Sequence, residues 1–138
     1  MSELLLSFIM PTFNSSEYLA KTMDSLIASI GQHSSSVEII CVDDGSTDST
    51  VAILEEYKSV FDNLIIIRNS HGGVSQARNT ALDVVSGTFI SFVDSDDLFE
   101  ENFLDIFLSI EEDFDLLFTD VKYLDRNLYI PGLSLIHI

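Results

Sequence analysis

Residues 88–97 of this chain read TFISFVDSDD, an apolar run that ends in a group of carboxylates. The run is short, β-branched and aromatic-rich and follows Gly87, which predicts a buried strand. In an open parallel sheet such a strand delivers the next residues to the carboxyl edge, where ligands bind in α/β folds. The carboxylates of Asp94, Asp96 and Asp97 would repel one another there, which favours a divalent cation with oxygen ligands, such as magnesium or manganese.

Asp97 has a second interpretation. Residues 98–100 read LFE, and an Asp followed by Glu three residues later is typical of a helix start. Asp97 is therefore either part of the carboxylate group or a helix cap. The cap does not explain Asp94 and Asp96, whose i, i+2 spacing in an irregular turn can aim both side chains at one point.

Strand-like runs alternate with helical patterns along the chain. The strands are predicted at residues 4–10, 37–42, 64–68, 88–93 and 115–123, and most are continuously apolar, as in parallel strands covered on both faces. Asn14, with Glu17 three residues later, is predicted to cap a first helix that ends at Gly31. Further helices are predicted at 50–60, 74–85 and 98–110. This order predicts an α/β fold with a mostly parallel, twisted sheet and flanking helices.

Composition excludes several classes of protein. With 138 residues the chain is long enough for one domain with a real core, and its formal net charge of −17 includes only 6 Lys and Arg residues. Nucleic acid and anionic lipid are therefore not expected as partners of this segment.

The single cysteine, Cys41, lies in an apolar run and is predicted to be a buried small hydrophobe. We see neither a signal peptide nor a membrane-length apolar stretch, and we expect a cytoplasmic protein.

The end of the chain departs from this pattern. After Tyr123 the regular spacing decays, and residues 133–138 read LSLIHI without a helix or cap around them. We expect residues 1–131 to form one domain that is incomplete at its C-terminal side. We expect residues 132–138 to be a non-native or disordered tail.

Three further loops follow predicted strands, and they are residues 11–14 (PTFN), 43–48 (DDGSTD) and 71–79 (HGGVSQARN). Together with residues 94–97 they converge on one edge of the predicted sheet. Two acidic loops, an aromatic residue and a glycine pair at the same edge indicate a nucleotide pocket with a metal ion.

Each candidate side chain has a chemical role and a structural alternative. Phe13 can stack on a base or fill the core. Asp44 can accept hydrogen bonds from a base or ribose. Gly73 allows close approach of a ligand at a helix N-terminus that favours negative charge. Arg78 can pair with phosphate or with a carboxylate, or can be a structural ion-pair partner.

Other polar residues of these loops favour a structural interpretation. Ser46, Thr47 and Asp48 are predicted to be turn and helix-capping residues. His71 is predicted to be an exposed loop residue.

The segments FIMPTFN (8–14), EIICVDDGSTDST (38–50) and NSHGGVSQARNTALDVVSGTFISFVDSDD (69–97) together resemble the Rossmann-like, nucleotide-binding half of a family 2 glycosyltransferase with the GT-A fold. The resemblance covers about residues 5–125. It implies substrate contacts or support from Pro11, Thr12, Phe13, Asp43, Asp44, Gly73, Arg78, Asp94, Ser95 and Asp96. Asp94 and Asp96 would be the family's DxD pair and the metal ligands, with Asp96 the most direct, and Asp43 would support the nucleoside loop.

The resemblance also implies an activity. Such enzymes transfer a sugar from a nucleotide-diphospho-sugar to an acceptor hydroxyl with inversion, using manganese or magnesium, in polysaccharide biosynthesis. The acceptor would be a glycan or a lipid-linked glycan, and the full-length protein would associate peripherally with a membrane. The catalytic base is expected beyond the chain end, since Asp120 and Asp125 come too early. We therefore expect little transfer by this chain alone, and a non-catalytic domain that binds nucleotide and divalent cation is the alternative.

Two other α/β classes fit less well. A phosphoacceptor receiver domain would need its acidic pair after the first strand and a lysine after the last, whereas here the pair follows the second strand and Lys122 lies within the fifth. A sugar-phosphate nucleotidyltransferase would need a glycine-rich, basic loop after the first strand. Residues 11–14 are neither glycine-rich nor basic.

Overall fold

The computed structural model of the protein describes residues 3–111, 113–118 and 134–136. It separates into two compact units, Met1–Phe107 and Leu108–Ile138. In chain order its elements are β1 (Leu6–Thr12), α1 (Leu19–Ile30), a 3-10 turn (Gly31–Ser36), β2 (Val37–Asp43), α2 (Thr50–Tyr57), β3 (Leu64–Arg68), α3 (Val74–Leu82), β4 (Phe89–Phe92), α4 (Phe103–Leu108), β5 (Leu116–Phe118) and β6 (Ser134–Ile136).

The first unit contains a four-stranded sheet in the order β3-β2-β1-β4, and all of its strand pairs are parallel. This confirms the predicted α/β class with a parallel sheet. The chain steps outward from β1 to β3 and then crosses back to place β4 on the other side of β1. Because the strand order reverses there, a crevice opens between the carboxyl ends of β1 and β4, the place where open α/β sheets bind ligands.

Both faces of the two central strands, β1 and β2, are covered, which explains why these strands are continuously apolar. Leu6, Phe8 and Met10 of β1 belong to the larger core, which also includes apolar residues of α1, α2 and α4. Ile9 belongs to the smaller core on the opposite face, with Ala77 of α3. Successive residues of a strand point to opposite faces, so a strand buried on both sides has to be apolar throughout.

The outer strands are less covered, since Ile65 of β3 and Ile90 and Phe92 of β4 are exposed. The run at 88–93 therefore forms a strand as predicted, but the prediction that this strand is buried is wrong.

Cys41 lies fully buried in the larger core. Burial without any compensating charge raises the pKa of its thiol to about 12. The prediction that it serves as a small hydrophobe is confirmed.

The predicted strand at 64–68 has the observed bounds, whereas the helices are shorter than predicted. The largest difference is at the fourth helix, which was predicted from residue 98 and begins at Phe103. The backbone N–H of Phe99 donates to Ser25 Oγ of α1 at 3.1 Å, and its ring packs edge-on against Phe8. These tertiary contacts hold Phe99 in a non-helical segment despite the helical spacing of its neighbours.

The second unit contains an antiparallel pair, β5 with β6. Of the strand predicted at 115–123, Leu116–Phe118 is observed, residue 115 lies in a bend before it, and residues 119–123 lie outside the described residues. The proposed boundary at residue 131 and the interpretation of residues 132–138 as a tail remain predictions. No helix in the described ranges combines the length and the apolar character that a membrane crossing requires.

Candidate functional site

A cleft of about 450 Å³ lies at the carboxyl edge of the four-stranded sheet, beside the crevice between β1 and β4. Residues from four loops line it, and they are Pro11, Thr12, Phe13, Asn14, Ser15, Tyr18, Asp44, His71, Gly73, Val74, Asp94, Ser95 and Asp96. The loops after β1, β2, β3 and β4 therefore meet at one place, as the sequence predicted. Asp43 and Arg78 support the cleft from outside its lining.

Asp43 ends β2 and is fully buried. Its carboxylate accepts hydrogen bonds from Thr12 Oγ1 at 3.0 Å, from the backbone N–H of Ser46 at 3.0 Å, and from Ser46 Oγ. These bonds tie the end of β1 to the loop after β2. Asp43 thus fixes the end of β1 and the loop after β2 relative to each other.

Asp44 directs its carboxylate towards the glycine loop after β3. Oδ1 accepts the backbone N–H of Gly72 and Oδ2 accepts that of Gly73, both at 2.9 Å, and His71 Nδ1 lies 3.0 Å from Oδ2. The bond from Gly72 is the main cause that lowers the pKa of Asp44 from its ordinary value, while desolvation opposes it. The carboxylate is therefore ionised at neutral pH and holds the glycine loop against the cleft.

Phe13 and His71 form an aromatic pair at the rim of the cleft. The Phe13 ring is 47% exposed, so it is not a core residue, and its centroid lies 4.6 Å from that of the His71 ring. His71 is exposed, as predicted, but it also contacts Asp44 and lines the cleft. The two rings are tilted by 36° relative to each other, and the exposed part of the Phe13 ring offers a surface for a stacked ligand.

Asn14 does not cap the first helix, contrary to the prediction. Its φ of 47° places it in the left-handed region, where Asn is tolerated, and α1 begins only at Leu19, after Tyr18. Its side-chain carbonyl instead accepts the backbone N–H of Thr47 at 2.9 Å, and its own N–H donates to Ser46 Oγ at 2.8 Å. Asn14 therefore joins the loops after β1 and β2.

Ser46, Thr47 and Asp48 were predicted to be turn and helix-capping residues. Ser46 and Thr47 lie in the irregular loop after β2 and Asp48 in a bend, while Ser49 is the residue that directly precedes α2. Asp48 Oδ1 accepts the backbone N–H and the hydroxyl of Thr50, the first residue of α2. Its Oδ2 accepts the backbone N–H of Ser16 at 3.2 Å. The side-chain bond from Thr50 is the largest cause that lowers the pKa of Asp48 to about 2.

Gly73 immediately precedes α3, and its conformation requires glycine. Its φ of 97° and ψ of 165° fall in a region that is essentially reserved for glycine. A Cβ at this position would meet no atom within 4 Å, so the space beside it is open to a ligand. The close approach of a ligand at Gly73 stays a prediction, and the open space beside this residue is compatible with it.

The loop after β4 carries three carboxylates. Oxygen atoms of Asp94, Asp96 and Asp97 lie within 4.8 Å of one another, and all three residues are exposed. Asp97 lies six residues before α4, so its interpretation as the cap of that helix is wrong. Desolvation first, and then the charges of Asp94 and Asp96, raise the pKa of Asp97 from its ordinary value, as expected for crowded like charges.

Ser95 anchors the acidic loop. Its hydroxyl lies 2.8 Å from Ser15 Oγ, and its backbone carbonyl accepts Thr22 Oγ1 of α1 at 2.9 Å. These contacts fix the loop between the two aspartates. Asp94 and Asp96 therefore project from a held backbone instead of a free turn.

Arg78 pairs with a carboxylate, one of the two roles considered from the sequence. Its guanidinium donates to Asp94 Oδ1 at 3.3 Å and lies over the Phe92 ring, 5.6 Å from its centroid. The Nε atom is buried and has no hydrogen-bond partner in the described part of the chain. Arg78 thus offsets part of the negative charge of the acidic loop from one side.

Sequence reasoning assigned no ligand-binding role to five residues that line the cleft, namely Asn14, Ser15, Tyr18, His71 and Val74. Tyr18 directly precedes α1 and is 50% exposed. Its hydrogen bond with the Glu17 side chain is the first cause that raises the pKa of its hydroxyl. His71 could have been found from its position directly before the glycine pair. Tyr18 carries no such signal, because its helical spacing fits a core position.

The sheet and the cleft define an α/β protein with an open cleft at the switch point of a parallel sheet. Residues 7–125 match the model of glycosyl transferase family 2, and the chain belongs to this family. The fold and family expected from the sequence are therefore confirmed.

Curated relatives match most of this chain and a small part of their own length. The poly(ribitol-phosphate) beta-glucosyltransferase of Bacillus spizizenii is 39% identical over 94 residues, which are 67% of this chain and 15% of that protein. The glycosyltransferase GlyA of Streptococcus pneumoniae is 37% identical over 100 residues, 72% of this chain and 14% of GlyA. The chain therefore spans about a seventh of the length of these relatives.

A solved structure shows the same fold. The crystal structure of Staphylococcus aureus TarS 1-349 in complex with UDP-GlcNAc superposes with a TM-score of 0.72 at 34% identity, covering 77% of this chain and 30% of the TarS chain. The same fragment has been solved in complex with UDP, with a TM-score of 0.72.

Proposed function

We propose that the chain binds a nucleotide-diphospho-sugar together with a divalent cation and serves the transfer of the sugar to an acceptor hydroxyl. The observation that carries the proposal is the convergence of an aromatic ring, a bonded carboxylate, an open glycine and an acidic cluster in one cleft. The complexes of TarS with UDP and UDP-GlcNAc support a uridine nucleotide as the donor.

The nucleoside is proposed to lie at the end of the cleft formed by the loops after β1, β2 and β3. There the exposed face of Phe13 can stack on a base, since every base has a π face. Asp44 can accept a hydrogen bond from a base N–H or a ribose hydroxyl. Pro11 and Thr12 line the adjoining wall, and the open space beside Gly73 admits the ligand next to backbone.

The acidic cluster has the chemistry of a site for a hard divalent cation. Carboxylate oxygens are the ligands that Mg²⁺ and Mn²⁺ prefer, and three of them lie within 4.8 Å of one another at the surface of the loop. We propose that Asp94 and Asp96 hold the ion, with Asp97 beside them. When bound, such an ion supplies Lewis-acid stabilisation of the diphosphate leaving group.

Arg78 and Ser95 prepare this loop. Arg78 donates to Asp94 and so reduces the repulsion between neighbouring carboxylates before a cation or substrate arrives. Ser95 fixes the backbone between Asp94 and Asp96 through Ser15 and Thr22. Both contacts lower the cost of ordering the cluster on binding.

Inversion at the anomeric carbon, a catalytic base on an acceptor-side segment and a cytoplasmic location with peripheral membrane association are also proposed. They rest on the family, and Asp120 and Asp125 lie outside the described residues. The acceptor is proposed to be a hydroxyl of a glycan or related polymer. The name of the Bacillus spizizenii relative, which refers to poly(ribitol-phosphate), supports that class.

Calorimetric titration with UDP in the presence and absence of Mn²⁺ tests the proposal. We expect binding that requires the metal and that Asp96→Ala weakens by about tenfold or more, since a hydrogen bond or contact to a charged group is worth about 1.5–3 kcal/mol. Asp83→Asn is the matched control, because Asp83 is an exposed carboxylate at the end of α3, away from the cleft. Binding that ignores the metal, or equal loss in Asp83→Asn and Asp96→Ala, would contradict the proposal.

A further inference from the structure

The carboxylate of Asp44 has little hydrogen-bonding capacity left. Its two oxygens offer about four acceptor positions. The backbone N–H of Gly72 donates to Oδ1, and that of Gly73 donates to Oδ2. His71 Nδ1 lies 3.0 Å from Oδ2 and covers its remaining position. One position, on Oδ1, remains for a ligand in the cleft.

The proton of the His71 ring can be assigned from its neighbours. Nδ1 lies 3.0 Å from Asp44 Oδ2 and 3.2 Å from the backbone carbonyl oxygen of Asp44. Both are acceptors only, because the carboxylate is ionised, so Nδ1 must carry the proton. His71 is therefore a donor to Asp44 in either of its charge states.

We propose that His71 is a specificity-determining residue of the nucleoside pocket, because it occupies Asp44 Oδ2 and leaves the carboxylate able to accept one hydrogen bond from the base. This inference rests on the proposed function. A base that presents a single N–H between two carbonyls, as uracil does, matches one acceptor position. Guanine presents two neighbouring donors on its Watson–Crick edge and would leave one of them unpaired when desolvated.

The fold holds His71 in this position from both sides. A Cβ at Gly45, where φ is 87°, would lie 3.2 Å from the backbone N of His71, so glycine there lets the two loops approach closely. On the other side the Phe13 ring lies against the imidazole at 4.6 Å between centroids. Substitutions at His71 can test the packing of its ring and the hydrogen-bond donor of that ring independently.

Two variants separate these properties. His71→Phe keeps a ring beside Phe13 and removes the donor, and the added atoms have room because the His71 side chain is 64% exposed. His71→Asn places an amide N–H near the position of Nδ1 and removes the ring. His33→Asn is the control, because His33 also lies beside a carboxylate, with its Nε2 3.0 Å from Asp105 Oδ1, but outside the cleft.

The experiment measures the Kd of UDP and of GDP for each variant by calorimetry with Mn²⁺, alongside thermal midpoints. We expect the wild type and His33→Asn to prefer UDP, and His71→Phe to reduce that preference by about tenfold, the factor expected for one hydrogen bond to a charged group. His71→Asn should keep the preference even where its affinity falls. Nitrogen NMR of the imidazole should show Nδ1 protonated before and after UDP is added.

The outcomes separate the two proposals. A wild type that binds neither nucleotide overturns the proposed function and this inference with it. A wild type that binds UDP while His71→Phe lowers both affinities by the same factor, or while it merely lowers the thermal midpoint, overturns the role of His71 alone. An unprotonated Nδ1, or a wild type that prefers GDP over UDP, also overturns the role of His71 alone.

Discussion

Replacement of Asp43 by alanine tests whether this buried carboxylate builds the site or touches the ligand. The structure gives Asp43 three donors from two loops, and its side chain is fully buried. The hydroxyls of Thr12 and Ser46 can rotate towards other acceptors after the substitution, but the backbone N–H of Ser46 cannot. Asp43→Ala therefore leaves at least one part-buried donor without its protein partner and removes bonds to a charged group.

These terms give the size of the expected loss. An unpaired buried donor costs about 1–3 kcal/mol, and a hydrogen bond to a charged group contributes about 1.5–3 kcal/mol. Allowing for non-additivity, we expect Asp43→Ala to lower the free energy of unfolding by about 3–5 kcal/mol. Asp43→Asn retains one acceptor oxygen and should lose about 1–2 kcal/mol.

Urea denaturation followed by far-ultraviolet circular dichroism measures this loss, since the chain has no tryptophan for fluorescence. With an m-value of about 1–3 kcal/mol/M, a loss of about 3 kcal/mol lowers the midpoint by about 1–3 M. A loss below about 1 kcal/mol for Asp43→Ala would refute the reasoning. So would unchanged stability with a large loss of UDP affinity, which would make Asp43 a direct ligand contact.

Two other predictions concern the backbone and acid stability. Gly73→Ala should lower the free energy of unfolding by about 1–3 kcal/mol, because φ near 97° strains any other residue. Gly72→Ala displaces only the flexible side chain of Gln76 and should lower it by less. Urea titration of the two variants measures both losses, and equal losses would contradict the account. The pKa of Asp48 is about 2 in the folded protein and 3.8 ordinarily, so its contribution to stability is complete above pH 4 and is lost as pH falls towards 2. Asp48→Asn should therefore flatten the dependence of the urea midpoint on pH in that range, and an unchanged slope would count against the Asp48–Thr50 bonds.

The fold was predictable from local pattern because buried parallel strands have to be apolar on both faces. The run predicted at 37–42 shows this, since β2 (Val37–Asp43) is buried at every position and extends only one residue beyond the prediction. Residues 98–102 show where pattern fails, because the bond from Phe99 to Ser25 and its packing on Phe8 are tertiary contacts that no local spacing reveals. The prediction that Asn14 caps the first helix failed for the same reason, since its partners Ser46 and Thr47 come from another loop.

The candidate site was predictable in its location and less so in its contacts. Strand ends place Phe13, Asp44 and Asp96 at one edge, which follows from topology. The contact of His71 with Asp44 and the pairing of Arg78 with Asp94 depend on how the loops fold back on each other. Such loop-to-loop distances require the structure.

The most direct test of the central claim is a crystal structure of the chain with UDP and Mn²⁺, in which anomalous scattering locates the manganese. The account predicts the base between Phe13 and Asp44, the diphosphate towards the loop after β4, and the manganese peak on Asp94 and Asp96. A nucleotide bound elsewhere on the protein, or a manganese peak away from this acidic loop, would contradict it.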